Sequence, residues 1–247
     1  MSAKVWLVGA GPGDPELLTL KAVRAMHEAD VVLIDDLVNP AVLEHCALAR
    51  VITVGKRGGC RSTPQDFIHR LILRYARQGK CVVRLKGGDP CIFGRGGEEA
   101  MWLRERGIEV ELVNGITAGL AGATNCDIPL TLRGVSRGVT LVTAHTQDDS
   151  SLNWRALAAG GTTLVVYMGV AKLEEIRQQL LDGGMAGDMP VAMIENASLP
   201  QQRECRSTLE QMQIDAQAFA LKSPAILVIG SVAAHAQAAC VAVSASA

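Results

Sequence analysis

The stretch Val82-Val83-Arg84-Leu85-Lys86-Gly87-Gly88-Asp89-Pro90 is the most informative part of this chain. An apolar run of strand length passes directly into glycines, an aspartate and a proline, and glycines recur through residues 91–99. Glycine lets the backbone adopt positive φ and approach a ligand closely. The aspartate offers a carboxylate to a cation, and Arg84, Lys86 and Arg95 offer positive charge to an anion. The pattern predicts a strand followed by a loop that holds a ligand with both an ammonium group and carboxylates.

Composition restricts the class of protein. The chain has 247 residues, enough for one large domain or two small ones, and 49% are hydrophobic. A net charge of −1 gives no global attraction to nucleic acid or anionic lipid, and an aromatic content of 3% argues against base-stacking platforms. No apolar run reaches membrane-spanning length. We therefore expect neither a nucleic-acid partner nor a membrane partner.

The cellular compartment is suggested by the N-terminus and the cysteines. Strand-like Val5–Val8 follows the N-terminus almost at once, which argues against a signal peptide. Seven cysteines are scattered without a Cys-x-x-Cys pair. This spacing favours reduced thiols over disulfides or a metal site, so we expect a cytoplasmic protein with no metal.

The first half alternates β-rich runs with helical patterns. This βαβ rhythm predicts an α/β fold with a mainly parallel sheet covered on both faces. The strand candidates are Val5–Val8, Val31–Ile34, Val51–Val54, Cys81–Leu85 and Ile108–Val113.

A second set of strands predicts a second α/β domain. The candidates are Val139–Thr143, Thr162–Met168, Val191–Ile194 and Ala225–Ile229. We place the boundary at Asn114, which gives domains of residues 1–114 and 115–240 and a small-residue tail of residues 241–247. Apolar runs such as Leu164–Val166 and Ala225–Ile229 suit either core strands or a subunit interface.

The first four strands of the first half end in unusual chemistry. In open α/β sheets, ligands bind beyond the carboxyl ends of the strands, so these ends together predict one site. The segments concerned are Gly9–Pro15, Asp35-Asp36, Gly55–Gly59 and Lys86–Asp89.

Each segment alone also has an ordinary structural interpretation. The Gly9 loop fails the G-x-G-x-x-G pattern because Asp14 stands in the third glycine position, and it lacks a phosphate-binding Gly-Lys-Ser/Thr. The loop alone could be a tight turn, Asp35 and Asp36 a solvated strand end, Lys56 a surface charge and Met168 a core residue.

Taken together, the segments resemble the uroporphyrinogen-III C-methyltransferases of the tetrapyrrole methylase superfamily. The matches cover nearly the whole chain in family order. They are VGAGPGDPELLTLKA (8–22), VGKR (54–57), VVRLKGGDP with IFGRGGEEA (82–100), GITAGLA (115–121), IPLTLRGV (128–135), VVYMGV (165–170), PVAMIENAS (190–198) and SPAILVIG (223–230).

The resemblance implies two α/β domains with largely parallel sheets, an active site in the cleft between them, and a homodimer. It implies transfer of methyl groups from S-adenosylmethionine to C2 and C7 of uroporphyrinogen III, which gives precorrin-2 and S-adenosylhomocysteine without a metal. By matching position, Asp35 is the proposed proton acceptor, Lys56 the proposed proton donor and Arg95 a substrate-contacting residue. The implied cofactor contacts are Pro12, Gly87, Gly88, Asp89, Ile92, Thr117, Ala118, Met168 and Ala197.

Two positions depart from the family pattern. Asp36 stands in an arginine position, which leaves a choice between Asp35 and Asp36 for the base, and Cys91 stands where phenylalanine is common. Three alternatives remain open. The first is a same-fold methyltransferase that acts on a later precorrin, a ribosomal RNA or the diphthamide precursor. The second is a non-catalytic tetrapyrrole-binding protein, and the third and least favoured is a dinucleotide-dependent oxidoreductase.

Overall fold

The computed structural model describes residues 4–55, 64–145 and 152–235. Its contacts divide the chain into two compact units, Met1–Thr117 and Ala118–Ala247. The division falls three residues after the boundary expected from the sequence. Lys56 and the tail of residues 241–247 lie outside the described residues.

The first unit is an α/β layer with a five-stranded sheet. Its strands run in the order β3-β2-β4-β1-β5, and every neighbouring pair is parallel. The elements are β1 (Lys4–Gly9), α1 (Leu20–His27), β2 (Val31–Ile34), β3 (Arg50–Thr53), α2 (Gln65–Arg77), β4 (Val82–Lys86), α3 (Gly96–Arg104) and β5 (Glu109–Val113).

Alternation along the strands builds a core on each face of this sheet. Trp6 and Val8 of β1 pack into one buried cluster with residues of α1, whereas Val5 and Leu7 pack into a second cluster with residues of α2 and α3. Successive side chains of a strand point to opposite faces, so two apolar sets are needed to cover both. The prediction of a parallel sheet covered on both faces is confirmed for this unit.

The second unit contains a mixed sheet in the order β6-β7-β10-β8-β9. β6 and β7 are parallel, whereas β10 is antiparallel to β7 and β8, and β9 is antiparallel to β8. The elements are α4 (Ala118–Asn125), β6 (Val139–Thr143), α5 (Trp154–Ala159), β7 (Thr163–Tyr167), α6 (Leu173–Asp182), β8 (Pro190–Glu195), β9 (Arg203–Thr208), α7 (Met212–Phe219) and β10 (Ala225–Ile229).

This second sheet departs from the expected parallel arrangement, and it contains a strand that the sequence did not reveal. The segment between β8 and β9 is too short for the crossover that parallel neighbours require, so the two strands form an antiparallel pair. β9 reads Arg-Glu-Cys-Arg-Ser-Thr and lies at the sheet edge, where little apolar sequence is needed. The apolar runs Leu164–Val166 and Ala225–Ile229 are buried in β7 and β10, so they are core strands.

Candidate functional site

The loops that follow β1, β4 and β5 are locked together by backbone contacts. Gly11 and Gly88 exchange hydrogen bonds: the Gly88 amide donates to the Gly11 carbonyl at 2.7 Å, and the Gly11 amide donates to the Gly88 carbonyl at 3.2 Å. A Cβ on Gly9 would lie 2.6 Å from both the Gly88 oxygen and the Gly115 nitrogen, and one on Gly115 would overlap the Gly88 carbonyl. Glycine is required at these strand ends because backbone meets backbone.

Asp89 fastens the loop after β4 to the end of β5. Its side chain is buried; Oδ1 accepts the Cys91 amide at 2.7 Å and Oδ2 accepts the Gly115 amide at 3.0 Å. The Asn114 side-chain amide lies 3.4 Å from the same Oδ2. The sequence suggested that this carboxylate is offered to a cationic ligand, but the structure gives both oxygens to donors of the protein itself.

Asp35 lies just beyond β2 and contacts a buried arginine. Arg84 Nη2 donates to Asp35 Oδ1 at 2.5 Å, and Lys86 Nζ lies 3.9 Å from Oδ2. The Asp35 side chain keeps 29% of its surface exposed. Asp36 is turned to a different neighbour, since a Cβ on Gly55 would overlap its carboxylate. The two adjacent aspartates therefore have different environments.

Glu99 was not expected at the site from the sequence, and its side chain is fully buried in α3. Lys86 Nζ donates to Glu99 Oε1 at 2.9 Å, Gln65 Nε2 donates to the same oxygen at 2.5 Å, and Arg84 Nε lies 3.8 Å away. The expectation that Arg84 and Lys86 offer their charge to an anionic ligand is wrong, because both are buried beside acidic groups of the protein. One signal was available: Arg84 and Lys86 are two apart on a central strand, so they share a face.

His69 of α2 lies next to this group of side chains and adds no charge to it. The Gln65 amide nitrogen lies 3.1 Å from His69 Nε2, and the His69 ring packs against Trp102 with centroids 4.9 Å apart. Burial lowers the pKa of His69, and the nearby Glu99 charge opposes this effect only partly. The imidazole therefore favours its neutral form.

The loop between β4 and α3 carries five of the predicted positions, namely Gly87, Gly88, Asp89, Ile92 and Arg95. The Ile92 amide donates to the Asp89 carbonyl at 3.2 Å, and Cys91 is exposed. Arg95 has φ of 59°, and its Nε and Nη2 both donate to Glu98 Oε2, at 3.0 and 2.6 Å. The hydrogen bond from Arg95 lowers the pKa of the exposed Glu98 carboxyl. The structure thus places Arg95 in an exposed ion pair, and Pro12 half-buried in the loop after β1.

The second unit gathers another set of predicted positions at one edge of its sheet. β7 and β8 are both antiparallel to β10, so their carboxyl ends lie at the same edge. Met168 follows β7 and Ala197 follows β8. Helix α4, which begins at Ala118, reaches this edge: the Gly119 amide donates to the Tyr167 hydroxyl at 3.0 Å, and a Cβ on Gly122 would lie 3.1 Å from the Ala197 Cβ.

These strand ends adopt left-handed backbone conformations. Met168 has φ of 55°, and Asn196 and Ser198 on either side of Ala197 have φ of 53° and 63°. A left-handed conformation costs a non-glycine residue about 1–2 kcal/mol, and such residues concentrate at ligand clamps. Met168 is also 49% exposed, so its side chain is not held there by a core. Thr117, immediately before α4, is buried.

Within residues 4–55, 64–145 and 152–235, no helix is long and apolar enough to cross a membrane. The same ranges contain no group of three or more His, Cys, Asp or Glu side chains that could hold a metal ion.

The family model and the relatives that match this chain agree on one family. Residues 4–213 match the Tetrapyrrole (Corrin/Porphyrin) Methylases. The chain is 84% identical to a uroporphyrinogen-III C-methyltransferase from Pseudomonas fluorescens over the full length of both.

Two solved structures are similar as well. A uroporphyrin-III C-methyltransferase from Thermus thermophilus, complexed with S-adenosylhomocysteine, is 42% identical with a TM-score of 0.79, covering 93% of this chain and 98% of that one. A cobalt precorrin-4 methyltransferase of cobalamin biosynthesis is 25% identical with a TM-score of 0.83, covering 94% and 96%.

Proposed function

The chain belongs to the tetrapyrrole (corrin/porphyrin) methylases, and on that basis we propose that it methylates uroporphyrinogen III at C2 and C7, with S-adenosylmethionine as methyl donor, to give precorrin-2. The observation that carries the proposal is the 84% identity to a uroporphyrinogen-III C-methyltransferase across both full lengths. The fold alone fits several acceptors, because the precorrin-4 enzyme has a slightly higher TM-score at only 25% identity. Sequence identity therefore decides between the acceptors.

The strand-end geometry fits a ligand held mainly through backbone contacts. Left-handed residues at Met168, Asn196 and Ser198 turn the backbone at the edge where Ala118 and Ala197 also lie. S-Adenosylmethionine carries no phosphate, which agrees with glycine loops that lack a phosphate-binding motif. We assign its binding to Pro12, Gly87, Gly88, Asp89, Ile92, Thr117, Ala118, Met168 and Ala197, with Asp89 acting through the loop that it fastens.

The chain's own residues then have to orient the acceptor and move a proton. When bound, S-adenosylmethionine supplies an electrophilic methyl group on a sulfonium and leaves as S-adenosylhomocysteine. The pyrrole carbon provides the electron pair of the new C–C bond, and the tetrapyrrole then loses a proton. Asp35 is the acceptor of that proton, since it is partly exposed and fixed by Arg84. Lys56 is the proposed proton donor. Such groups typically contribute about 10²–10⁴-fold.

The methyl acceptor, uroporphyrinogen III, carries eight carboxylates, whereas the protein is slightly acidic overall. Local cations must therefore compensate, and Arg95 is the candidate because its guanidinium is exposed. A guanidinium pairs with a carboxylate in a two-pronged geometry. Substrate would compete with Glu98 for this group, an exchange that costs little because exposed ion pairs contribute only about 0–1 kcal/mol.

The proposal extends to assembly and compartment. We propose a homodimer on the strength of the family resemblance, with no nucleic-acid or membrane partner. The scattered cysteines favour a reducing compartment, so we place the reaction in the cytoplasm.

Mass spectrometry of the tetrapyrrole after incubation with uroporphyrinogen III and S-adenosylmethionine tests the activity. We expect a product that has gained two methyl groups, with two S-adenosylhomocysteine molecules formed for each. Later precorrins are assayed in parallel, and methylation of one of them instead of uroporphyrinogen III would identify a same-fold enzyme with another acceptor. Tight tetrapyrrole binding without any methyl gain would instead identify a non-catalytic binding protein and overturn the proposal.

A further inference from the structure

Four charged side chains form a compact group in the first unit, here called the charge cluster: Asp35, Arg84, Lys86 and Glu99. Arg84, Lys86 and Glu99 are buried, and only Asp35 reaches the surface. Two positive and two negative groups balance within the cluster. The contacts run from Asp35 through Arg84 and Lys86 to Glu99, so Asp35 is the exposed end of a buried chain of charges.

Stability is a poor explanation for this cluster. Taking ions out of water costs several kcal/mol per ion, and buried ion pairs can often be replaced by apolar residues without loss. The hydrogen bonding is also incomplete, since Arg84 Nε and Glu99 Oε2 have no hydrogen-bond partner among the described residues. A buried group left unsatisfied is costly. The placement of four charges here in spite of these costs points to a role at the exposed end.

We propose that Arg84 and Glu99 are positioning residues for the methyl transfer, which place charges of opposite sign behind the Asp35 carboxylate. This inference rests on the proposed function, in which Asp35 accepts the proton. Arg84 orients the carboxylate through the 2.5 Å contact. Glu99 holds Lys86 on its own side, with Lys86 Nζ at 2.9 Å from Glu99 and 3.9 Å from Asp35. Glu99 thereby keeps a second cation from pairing closely with Asp35.

The groups that face Asp35 within the described residues are few. β4 contributes Arg84 and Lys86, and Glu99 of α3 reaches Asp35 only through these two side chains. From α2, Gln65 lies between His69 and Glu99, and the lowered pKa of His69 favours its neutral form. The adjacent Asp36 lies against Gly55 instead. Among the residues that the structure describes, the charges nearest to Asp35 therefore come chiefly from β4 and α3.

The experiment measures methyl transfer to uroporphyrinogen III as a function of pH in the full-length protein. In Arg84→Gln, loss of the cation should move the acidic limb of the profile upward by about one pH unit or more, since a neighbouring arginine favours the ionised carboxylate by that amount. In Glu99→Gln, Lys86 is released toward Asp35, so the acidic limb should move downward and kcat should fall. The double variant should return the limb toward the unaltered protein, because one charge of each sign is removed.

Matched controls separate this role from a structural one. Glu105→Gln, just after α3, and Arg74→Gln, on the exposed side of α2, make the same chemical changes outside the cluster and should leave the limb in place. Calorimetric affinity for S-adenosylhomocysteine reports whether each variant is folded. The proposal is overturned if Arg84→Gln and Glu99→Gln move the acidic limb in the same direction, or if the folded variants do not move it.

Two further variants cover the case in which a neutral substitution does not fold. Arg84→Lys and Glu99→Asp keep the charges but move them, so a fall in kcat of about tenfold or more with unchanged S-adenosylhomocysteine affinity supports the proposal, and unchanged kcat refutes it. The base assignment is tested separately by Asp35→Asn. If that variant keeps full turnover while the wild type methylates, the assignment of Asp35 fails although the proposed activity stands.

Discussion

The backbone of Gly115 lies against the backbone of Gly9, and a Cβ on Gly115 would come within 2.8 Å of the Gly9 Cα. Gly115 follows β5 and Gly9 ends β1, so the contact joins two neighbouring strand ends of the first sheet. Together with the Gly11–Gly88 hydrogen bonds it fixes three loops relative to one another. The shape of this part of the site is therefore set by main-chain atoms.

Gly115→Ala should destabilise the protein, because the new methyl group would overlap backbone that cannot rotate away. Overpacking of this kind costs about 1–3 kcal/mol. Gly97→Ala is the matched control: it lies in the first turn of α3 with open space around its Cβ position, and it should be neutral or stabilise by up to about 1 kcal/mol. Urea denaturation measures both. Equal effects from the two substitutions would contradict the backbone contact.

Asp35→Asn should lower kcat by about 10²–10⁴-fold, the usual contribution of a positioned base, and leave affinity for S-adenosylhomocysteine largely unchanged. Asp36→Asn should have a much smaller effect, because Asp36 lies beside Gly55, whereas Asp35 contacts Arg84. Turnover and calorimetric affinity of both variants provide the comparison. The assignment fails if Asp36→Asn loses as much turnover as Asp35→Asn.

Arg95→Lys should raise the KM for uroporphyrinogen III about tenfold or more. A hydrogen bond to a charged group is worth about 1.5–3 kcal/mol, and 1.4 kcal/mol corresponds to a factor of about ten. Affinity for S-adenosylmethionine and stability should barely change, since the Glu98 pair is exposed. Steady-state kinetics and calorimetry measure the two ligands. If the affinities for both ligands fall together, Arg95 shapes the loop instead of contacting substrate. If neither affinity changes, Arg95 serves only in its ion pair with Glu98.

Met168→Gly should stabilise the protein while weakening S-adenosylhomocysteine binding. Glycine adopts positive φ readily, so the substitution relieves about 1–2 kcal/mol of strain at φ of 55°. Met168→Ala is the control, because it removes the side chain but keeps the strain. It should weaken binding similarly without the gain in stability. Thermal denaturation and calorimetry distinguish the two effects, and unchanged affinity in both variants would remove Met168 from the binding site.

The proposed homodimer should give a mass of about twice 26.1 kDa by light scattering at micromolar concentration. The sequence supplied little support of its own, because Leu164–Val166 and Ala225–Ile229 are core strands. A mass that stays at the value of a single chain across this range would exclude the dimer.

The parallel sheet of the first unit was predictable because its strands are apolar and alternate with clear helices. β9 was not, since a strand such as Arg203–Thr208 lies at an edge and needs few apolar residues. The antiparallel placement of β10 depends on long-range pairing with β7 and β8, which no local pattern encodes. Pairing between distant segments is thus the part of the fold that sequence patterns conveyed least.

At the candidate site, residue types were more predictable than their partners. The segment Lys86–Asp89 was expected at a strand end and lies there. The partner of Lys86 was not foreseen, because Glu99 lies beside it only when α3 packs on the sheet. The left-handed conformation of Met168 was equally hidden, since methionine carries no preference for positive φ.

The strand order of the first unit also constrains how the chain acquires its structure during synthesis. β1 leaves the ribosome first, yet its neighbours in the sheet are β4 and β5, with Val5 opposite Val82 and Val110. β2 and β3, by contrast, can pair as soon as both have emerged. Non-local parallel pairing is slow and leaves strand edges open in the meantime. The first strand to be made in this unit is therefore one that waits for the last strand before its pairing is complete.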